Sequence, residues 1–188
     1  MGNKLCIDIL LAVGKKGGVE NVVNKNAVFL QQQGYCVRVI QLVWEGVRWV
    51  EQAIPFYPLR EGRGEYSLNE FIAAYTTFLA NHEKPDLILA TAWPLMTLVA
   101  RMSVEKLAFN CKIVSWLHGP LERYVDAGFG GAECLKKANR VFVLNERTRK
   151  TIHIYDPTIC VDLVKNPVDF FGVISDLPAA GIRGRFCL

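Results

Sequence analysis

Histidine is scarce in this chain, with three in 188 residues, and none of the three stands in a His-Glu-x-x-His string, so zincin-type metal hydrolysis has no basis. The six cysteines, at 6, 36, 111, 134, 160 and 187, never form a Cys-x-x-Cys pair, which removes zinc-ribbon and thioredoxin-type chemistry. No metal site is expected. Cys6, Cys36 and Cys160 lie in or beside apolar runs, where a free thiol acts as a small hydrophobe, and the chain reads as a reduced, cytosolic protein. No stretch of 18 apolar residues exists to span a bilayer, and the apolar start over 5–13 lacks the small-residue cleavage site of a signal peptide. A Gly-x-Ser-x-Gly elbow, a Walker loop and a Gly-x-Gly-x-x-Gly fingerprint are all missing. The net charge of +4 favours anionic partners such as phosphates or an acidic membrane surface, but falls short of a nucleic-acid-binding signature.

What remains is globular. Hydrophobic residues make up 51% and charged residues 21%, enough apolar material to bury one full core. A nearly continuous apolar run over 5–13 predicts a strand covered on both faces, ending at Gly14-Lys-Lys-Gly-Gly18. Val19, Val22, Val23, Ala27 and Leu30 then share one helical stripe, closed by Gly34 as a C-terminal cap. A second strand is expected over 35–40. Ser67 and Glu70 form a capping box that opens a helix running to about His82. Further strands are expected over 86–91, 112–117, 140–144 and 159–165, with helices from Pro94 and, capped by Asn145, over 146–153. Six strands alternating with helices imply a doubly wound, mostly parallel α/β sheet over 1–169. The remainder, 170–188, has no useful periodicity and reads as an irregular tail.

Ligands of such sheets bind at the carboxyl ends of the strands. Three features fall there: the glycine loop 14–18, Thr91 to Trp93, and His118-Gly119. Gly17 and Gly18 precede a helix, where backbone amides and the helix dipole suit an anion; the plain alternative is a tight βα turn. His118 follows a strand of apolar and small residues and is placed to bond a substrate hydroxyl or phosphate, or else is satisfied by its own loop. His82 and His153, at predicted helix ends, read as ordinary solvated residues. Trp44 to Val50, with Ile54 to Leu59 and Arg60 to Arg63, mix aromatics with arginines, as a sugar-stacking or membrane-interface patch would, or as packing under a long loop. Glu122, Asp126 and Glu133 read as surface charges. The basic run Lys136, Lys137, Arg140, Arg147, Arg149, Lys150 reads as a solvated face.

The strings Gly17-Gly-Val-Glu20, Gln33-Gly-Tyr-Cys-Val-Arg-Val-Ile40, Pro85-Asp-Leu-Ile-Leu89, Val114-Ser-Trp-Leu-His-Gly119, Ala138-Asn-Arg-Val-Phe-Val-Leu-Asn145 and Val164-Lys-Asn-Pro-Val-Asp169 stand in the order found in retaining glycosyltransferases of family four, and the chain resembles the first domain of that family over about 17–169. Asn139 and Asn145 depart from the family's Asp and Ser. Ser115-Trp116 and Asn166-Pro-Val-Asp169 look most like the lipopolysaccharide-core galactosyltransferases.

The resemblance implies the first, acceptor-side half of a GT-B architecture, in which two Rossmann-like domains face a cleft. It implies a nucleotide-sugar co-substrate, UDP-linked, with no other cofactor, and a saccharide acceptor. By residue matching, Gly17 and Gly18 would face the donor diphosphate and His118 the transferred sugar, with Trp93 and Gly119 as further substrate-binding candidates. The donor-binding domain is not in this sequence, so the chain alone is expected to be inactive. The family's work at the cytoplasmic membrane face leaves room for peripheral membrane contact. A non-catalytic glycan-binding module, or a subunit paired with a separate donor-binding chain, is the competing reading; a nucleotide-dependent oxidoreductase suffers from the missing fingerprint.

Overall fold

The computed structural model describes residues 4–15, 17–62 and 66–167. Seven parallel strands form one sheet: β1 (Cys6–Val13), β2 (Cys36–Trp44), β3 (Phe56–Glu61), β4 (Leu87–Thr91), β5 (Lys112–Trp116), β6 (Arg140–Val143) and β7 (Val161–Leu163), in the order β3-β2-β1-β4-β5-β6-β7. The chain winds outward from β1 through β2 to β3, then crosses to β4 and winds the other way. Its topological switch point therefore lies between β1 and β4.

Side chains alternate across β1 and divide the core. Ile7, Ile9 and Leu11 pack with Val22, Val23 and Ala27 of α1 (Gly18–Gln32). Leu10 and Ala12 face Phe71, Ile72, Tyr75 and Leu79 of α2 (Leu68–Asn81) and Met96, Val99 and Ala100 of α3 (Pro94–Lys106). A third cluster gathers Leu117, just past β5, with Leu121, Leu135, Val141, Val143 and Ile152 from β6, α4 (Leu121–Asp126), α5 (Ala132–Leu135) and α6 (Glu146–Tyr155). Covered on both faces, the strands need no polar alternation, which is why apolar runs marked them in the sequence.

The start and stop signals act as expected. Ser67 and Glu70 complete a reciprocal capping box, and the Asn145 side chain accepts from the Thr148 amide. Gly34 takes φ +93 just past α1, where the Tyr35 amide reaches back to the Leu30 carbonyl.

Two elements differ from the sequence expectation. The segment read as an aromatic and arginine patch supplies the end of β2 and the whole of β3. Pro58 and the mixed composition disguised β3, yet an edge strand tolerates a residue with no amide to donate. Trp49 and Arg48 are packing groups: the Trp49 indole donates to Gln41 at 2.6 Å, and the Arg48 guanidinium donates to the Val50, Glu51 and Ile54 carbonyls. His82 is also not merely solvated; its ring stacks on Phe78 at 4.1 Å and bonds the Phe78 carbonyl. His153 is exposed, as expected, and contacts the Ile159 carbonyl. Cys6 is buried beside Cys36, whereas Cys160 is exposed. The expectation for 170–188 lies outside the described residues.

One buried polar network was not anticipated. Asp8 and Arg38 stand opposite in register on β1 and β2, and the guanidinium contacts the carboxylate at 2.6 and 2.7 Å. Tyr75 donates to the other carboxylate oxygen at 2.9 Å, and Asp8 and Tyr75 are fully buried. Burial pushes the Asp8 carboxyl up, and Arg38 and Tyr75 oppose that. The network ties α2 to the sheet through groups whose removal would leave a charge unpaired in the core.

Candidate functional site

The carboxyl ends of β1, β4 and β5 lie side by side, and strand spacing puts β1 and β5 roughly 10 Å apart across β4. The glycine loop leaves β1, the turn Thr91-Ala92-Trp93 leaves β4, and His118-Gly119 follows β5. The three sequence candidates thus fall on adjacent strands at the switch point.

The loop after β1 is shaped by Gly14 more than by the two glycines singled out from sequence. A Cβ at Gly14 would lie 2.5 Å from the Trp49 indole nitrogen and 2.8 Å from Gln41 Oε1. Gln41 is fully buried and donates to the Gly14 and Val43 carbonyls, so this contact has no slack. Gly17 is the N-cap of α1 in extended backbone, with no side chain to cap the first turn. Glu20 instead braces the preceding loop: its carboxylate accepts from the Lys15 amide at 3.0 Å and would lie 2.7 Å from a Cβ at Gly17. Nothing lies within 4 Å of a Cβ position on Gly18. The helix entrance therefore keeps an open side and a carboxylate that a bound anion would have to displace.

The turn after β4 is strained. Ala92 takes φ +69, and the Trp93 amide donates to the Thr91 carbonyl at 3.0 Å, closing a three-residue γ-turn. A residue with a Cβ held there is uncommon and tends to mark sites where the backbone must be aimed. Trp93 then opens α3, and its ring stacks on Phe129 at 3.8 Å with planes 4° apart.

His118 is half-buried. Its Nε2 lies 2.8 Å from Thr91 Oγ1, and its ring centroid lies 4.5 Å from that of Trp116. Burial lowers its pKa from 6.5 to about 4, so the imidazole is neutral at pH 7. Behind it, Tyr124 of α4 packs against the turn: its hydroxyl would lie 3.3 Å from a Cβ at Gly119, and burial raises that phenol above its usual value, opposed by the His118 and Gly119 backbone. Sequence reading missed Tyr124, Gln41 and Phe129, because each acts through a tertiary contact that no local pattern encodes.

Other candidates dissolve. Lys136 pairs with Asp156, Arg140 with Asp162 and Arg149 with Glu146, so half of the basic run is matched by carboxylates. Glu122 meets Thr151, and Glu133 caps the Gly131 amide; neither joins a carboxylate pair. An open groove of ≈ 520 Å³ lies between β3 and α2, but Arg60 and Glu70 there pair with each other and its other walls are mostly small or apolar. No helix of the described residues is long and apolar enough to cross a membrane.

Comparison with known proteins extends to the fold. No protein-family profile matches the chain. No curated protein matches it either. Among solved structures the fold is that of a Rossmann-like domain in GT-B-type glycosyltransferases and UDP-sugar epimerases. The apo form of the lipopolysaccharide outer core galactosyltransferase WaaB superposes with a TM-score of 0.69 at 18% identity, covering 96% of this chain and 50% of that one. An α-glucosyltransferase in complex with UDP-glucose and DNA containing an abasic site gives 0.62 at 13%, covering 90% and 44%. The UDP-GlcNAc 2-epimerase of Methanocaldococcus jannaschii gives 0.65 at 11%, covering 86% and 46%. The chain spans about half the length of these proteins.

Proposed function

We propose that this chain is the acceptor-side domain of a retaining glycosyltransferase that moves a sugar from a UDP-linked donor to a glycan or lipid-linked saccharide in cell-envelope or lipopolysaccharide biosynthesis. The observation that carries the reading is the meeting of the open α1 entrance, the strained Ala92 turn and the half-buried His118 at one switch point, in a fold shared with WaaB. In this reading Gly17 and Gly18 approach the donor diphosphate, and neutral His118 orients the transferred sugar without taking a proton. The groups that neutralise the departing diphosphate belong to a second domain, so the 188-residue chain binds without turning over. The protein works in the cytoplasm at the inner face of the membrane.

The test is a thermal-shift titration of the chain with UDP, UDP-sugars and core oligosaccharides. A ligand at ten times its dissociation constant adds about 1.4 kcal/mol, which raises Tm by roughly 3–6 °C in a protein of this size. Stabilisation by these ligands, abolished by Gly18→Trp, is the expected result. No shift with any of them overturns the reading, and sustained turnover by the chain overturns the assignment of catalysis to a second domain. Stabilisation by oligosaccharides alone would favour a glycan-binding module.

A further inference from the structure

We infer that Thr91 is a positioning residue that fixes His118 in the Nδ1–H tautomer, so that the ring offers a hydrogen-bond donor to an oxygen acceptor on the ligand. This rests on the proposed site and adds the chemistry of one contact. Thr91 is fully buried at the end of β4, and His118 Nε2 is the one partner of its hydroxyl among the described residues. A neutral imidazole carries one proton, and two arrangements fit the 2.8 Å contact. If Nε2 carried the proton, it would donate to Thr91 Oγ1 and leave the threonine proton buried with no acceptor. If the threonine donates to Nε2, every buried proton is satisfied and the imidazole proton sits on Nδ1. An orphaned buried donor is costly whereas a made bond is cheap, and this asymmetry selects the second arrangement by roughly five- to a hundredfold.

Nδ1 has no partner among the described residues, and the ring is only partly covered. The donor therefore faces outward. It suits the lone pairs of a sugar hydroxyl or of a phosphate oxygen, and it does not suit a ligand donor such as an ammonium group. Because burial keeps the ring neutral at pH 7, the contact is a dipolar donor without a full positive charge. It can then orient a polar substrate without forming an ion pair with the diphosphate. The γ-turn at Ala92 supports the same arrangement, since it fixes the backbone immediately after Thr91, and the Ala92 amide bonds the Trp116 carbonyl at 3.1 Å, joining β4 to the strand that carries the histidine.

The test is a long-range proton–nitrogen NMR spectrum of the histidine rings in the 188-residue chain at pH 7. The wild type and Thr91→Ser are expected to show His118 almost wholly as Nδ1–H. Thr91→Val, which keeps the shape and removes the hydroxyl, is expected to lose that preference by roughly fivefold or more while retaining its near-ultraviolet dichroism. An Nε2–H wild type overturns the inference, whatever the variants do. Titration to 20 mM with UDP and with UDP-galactose gives the ligand arm: movement of Nδ1 with both assigns a phosphate oxygen, and movement with UDP-galactose alone assigns a sugar hydroxyl. Amide shifts at Gly17 and Gly18 with a stationary Nδ1 overturn this inference and leave the proposed function standing. Silence at the glycines as well as at Nδ1 overturns both.

Discussion

Replacing His118 with glutamine should alter the acid stability of the protein by an amount the structure fixes. The native imidazole has its pKa lowered to about 4 by burial, whereas in the unfolded chain it returns to 6.5. A lowered histidine pKa means that the native state resists protonation. Above pH 6.5 both states are neutral and no penalty exists. As the pH falls from 6.5 toward 4, the unfolded chain takes up a proton that the native chain does not, and stability drops by about 1.4 kcal/mol per pH unit. Between pH 7 and pH 4.5 the loss amounts to roughly 2.5 kcal/mol. The Asp156 carboxyl, which Lys136 and Thr158 hold well below the usual value, stays ionised throughout this range, while other groups titrate within it. They contribute equally to wild type and His118→Gln, so the difference between the two proteins isolates the histidine. Urea unfolding at pH 7.0, 6.0, 5.0 and 4.5 measures it. The glutamine variant should start less stable, having lost the Thr91 contact, and gain on the wild type by about 2.5 kcal/mol on acidification. Parallel curves, with a change under about 0.5 kcal/mol, would mean that the ring titrates as a solvated histidine and that its burial at the strand ends is wrong.

Gly14→Ala should cost about 1–3 kcal/mol in urea unfolding, since its Cβ would overlap an indole held by the buried Gln41. Gly18→Ala, with open space around it, should cost less than about 1 kcal/mol, and the two reversed would refute the reading of the loop. Arg38→Met should destabilise by about 3–5 kcal/mol by stranding the Asp8 carboxylate, while Tyr75→Phe should cost about 1.5–3 kcal/mol; equal effects would show that the network is not centred on the ion pair. Ala92→Gly removes the positive-φ strain and should leave Tm unchanged or raised, so a loss above about 1 kcal/mol would contradict the strained turn.

The architecture was legible because its signals are local. Apolar runs such as Leu5 to Val13, the Ser67 and Glu70 box and Gly34 past α1 each report their own conformation without reference to the rest of the chain. β3 was hidden because an edge strand with one covered face needs neither a continuous apolar run nor an unbroken row of amides, and Pro58 removed the usual signature. The site divides in the same way. Its place at the strand ends follows from the order of elements, so the glycine loop, Trp93 and His118 were found as neighbours before their contacts were known. What each does with its neighbours was not readable. Gly119 packs against Tyr124, Trp93 stacks on Phe129 and Thr91 holds His118, and these partners are separated in sequence by 5, 36 and 27 positions respectively. Glu20 was noticed only as part of a family-like string. Its carboxylate accepts from the Lys15 amide beside Gly17, so an anion bound at the loop as proposed would have to displace it.

In the proposed function, the crevice between β1, β4 and β5 receives the sugar-nucleotide and its acceptor. It is tested most directly by amide NMR shifts in the 188-residue chain titrated with UDP-galactose and, separately, with a lipopolysaccharide-core oligosaccharide. The account predicts saturable shifts at Gly17, Gly18, Thr91, Trp93 and His118, with the residues lining the groove between β3 and α2, such as Ala73 and Thr77, unmoved. Shifts confined to that groove, or no shift at the strand ends with either ligand, would contradict it.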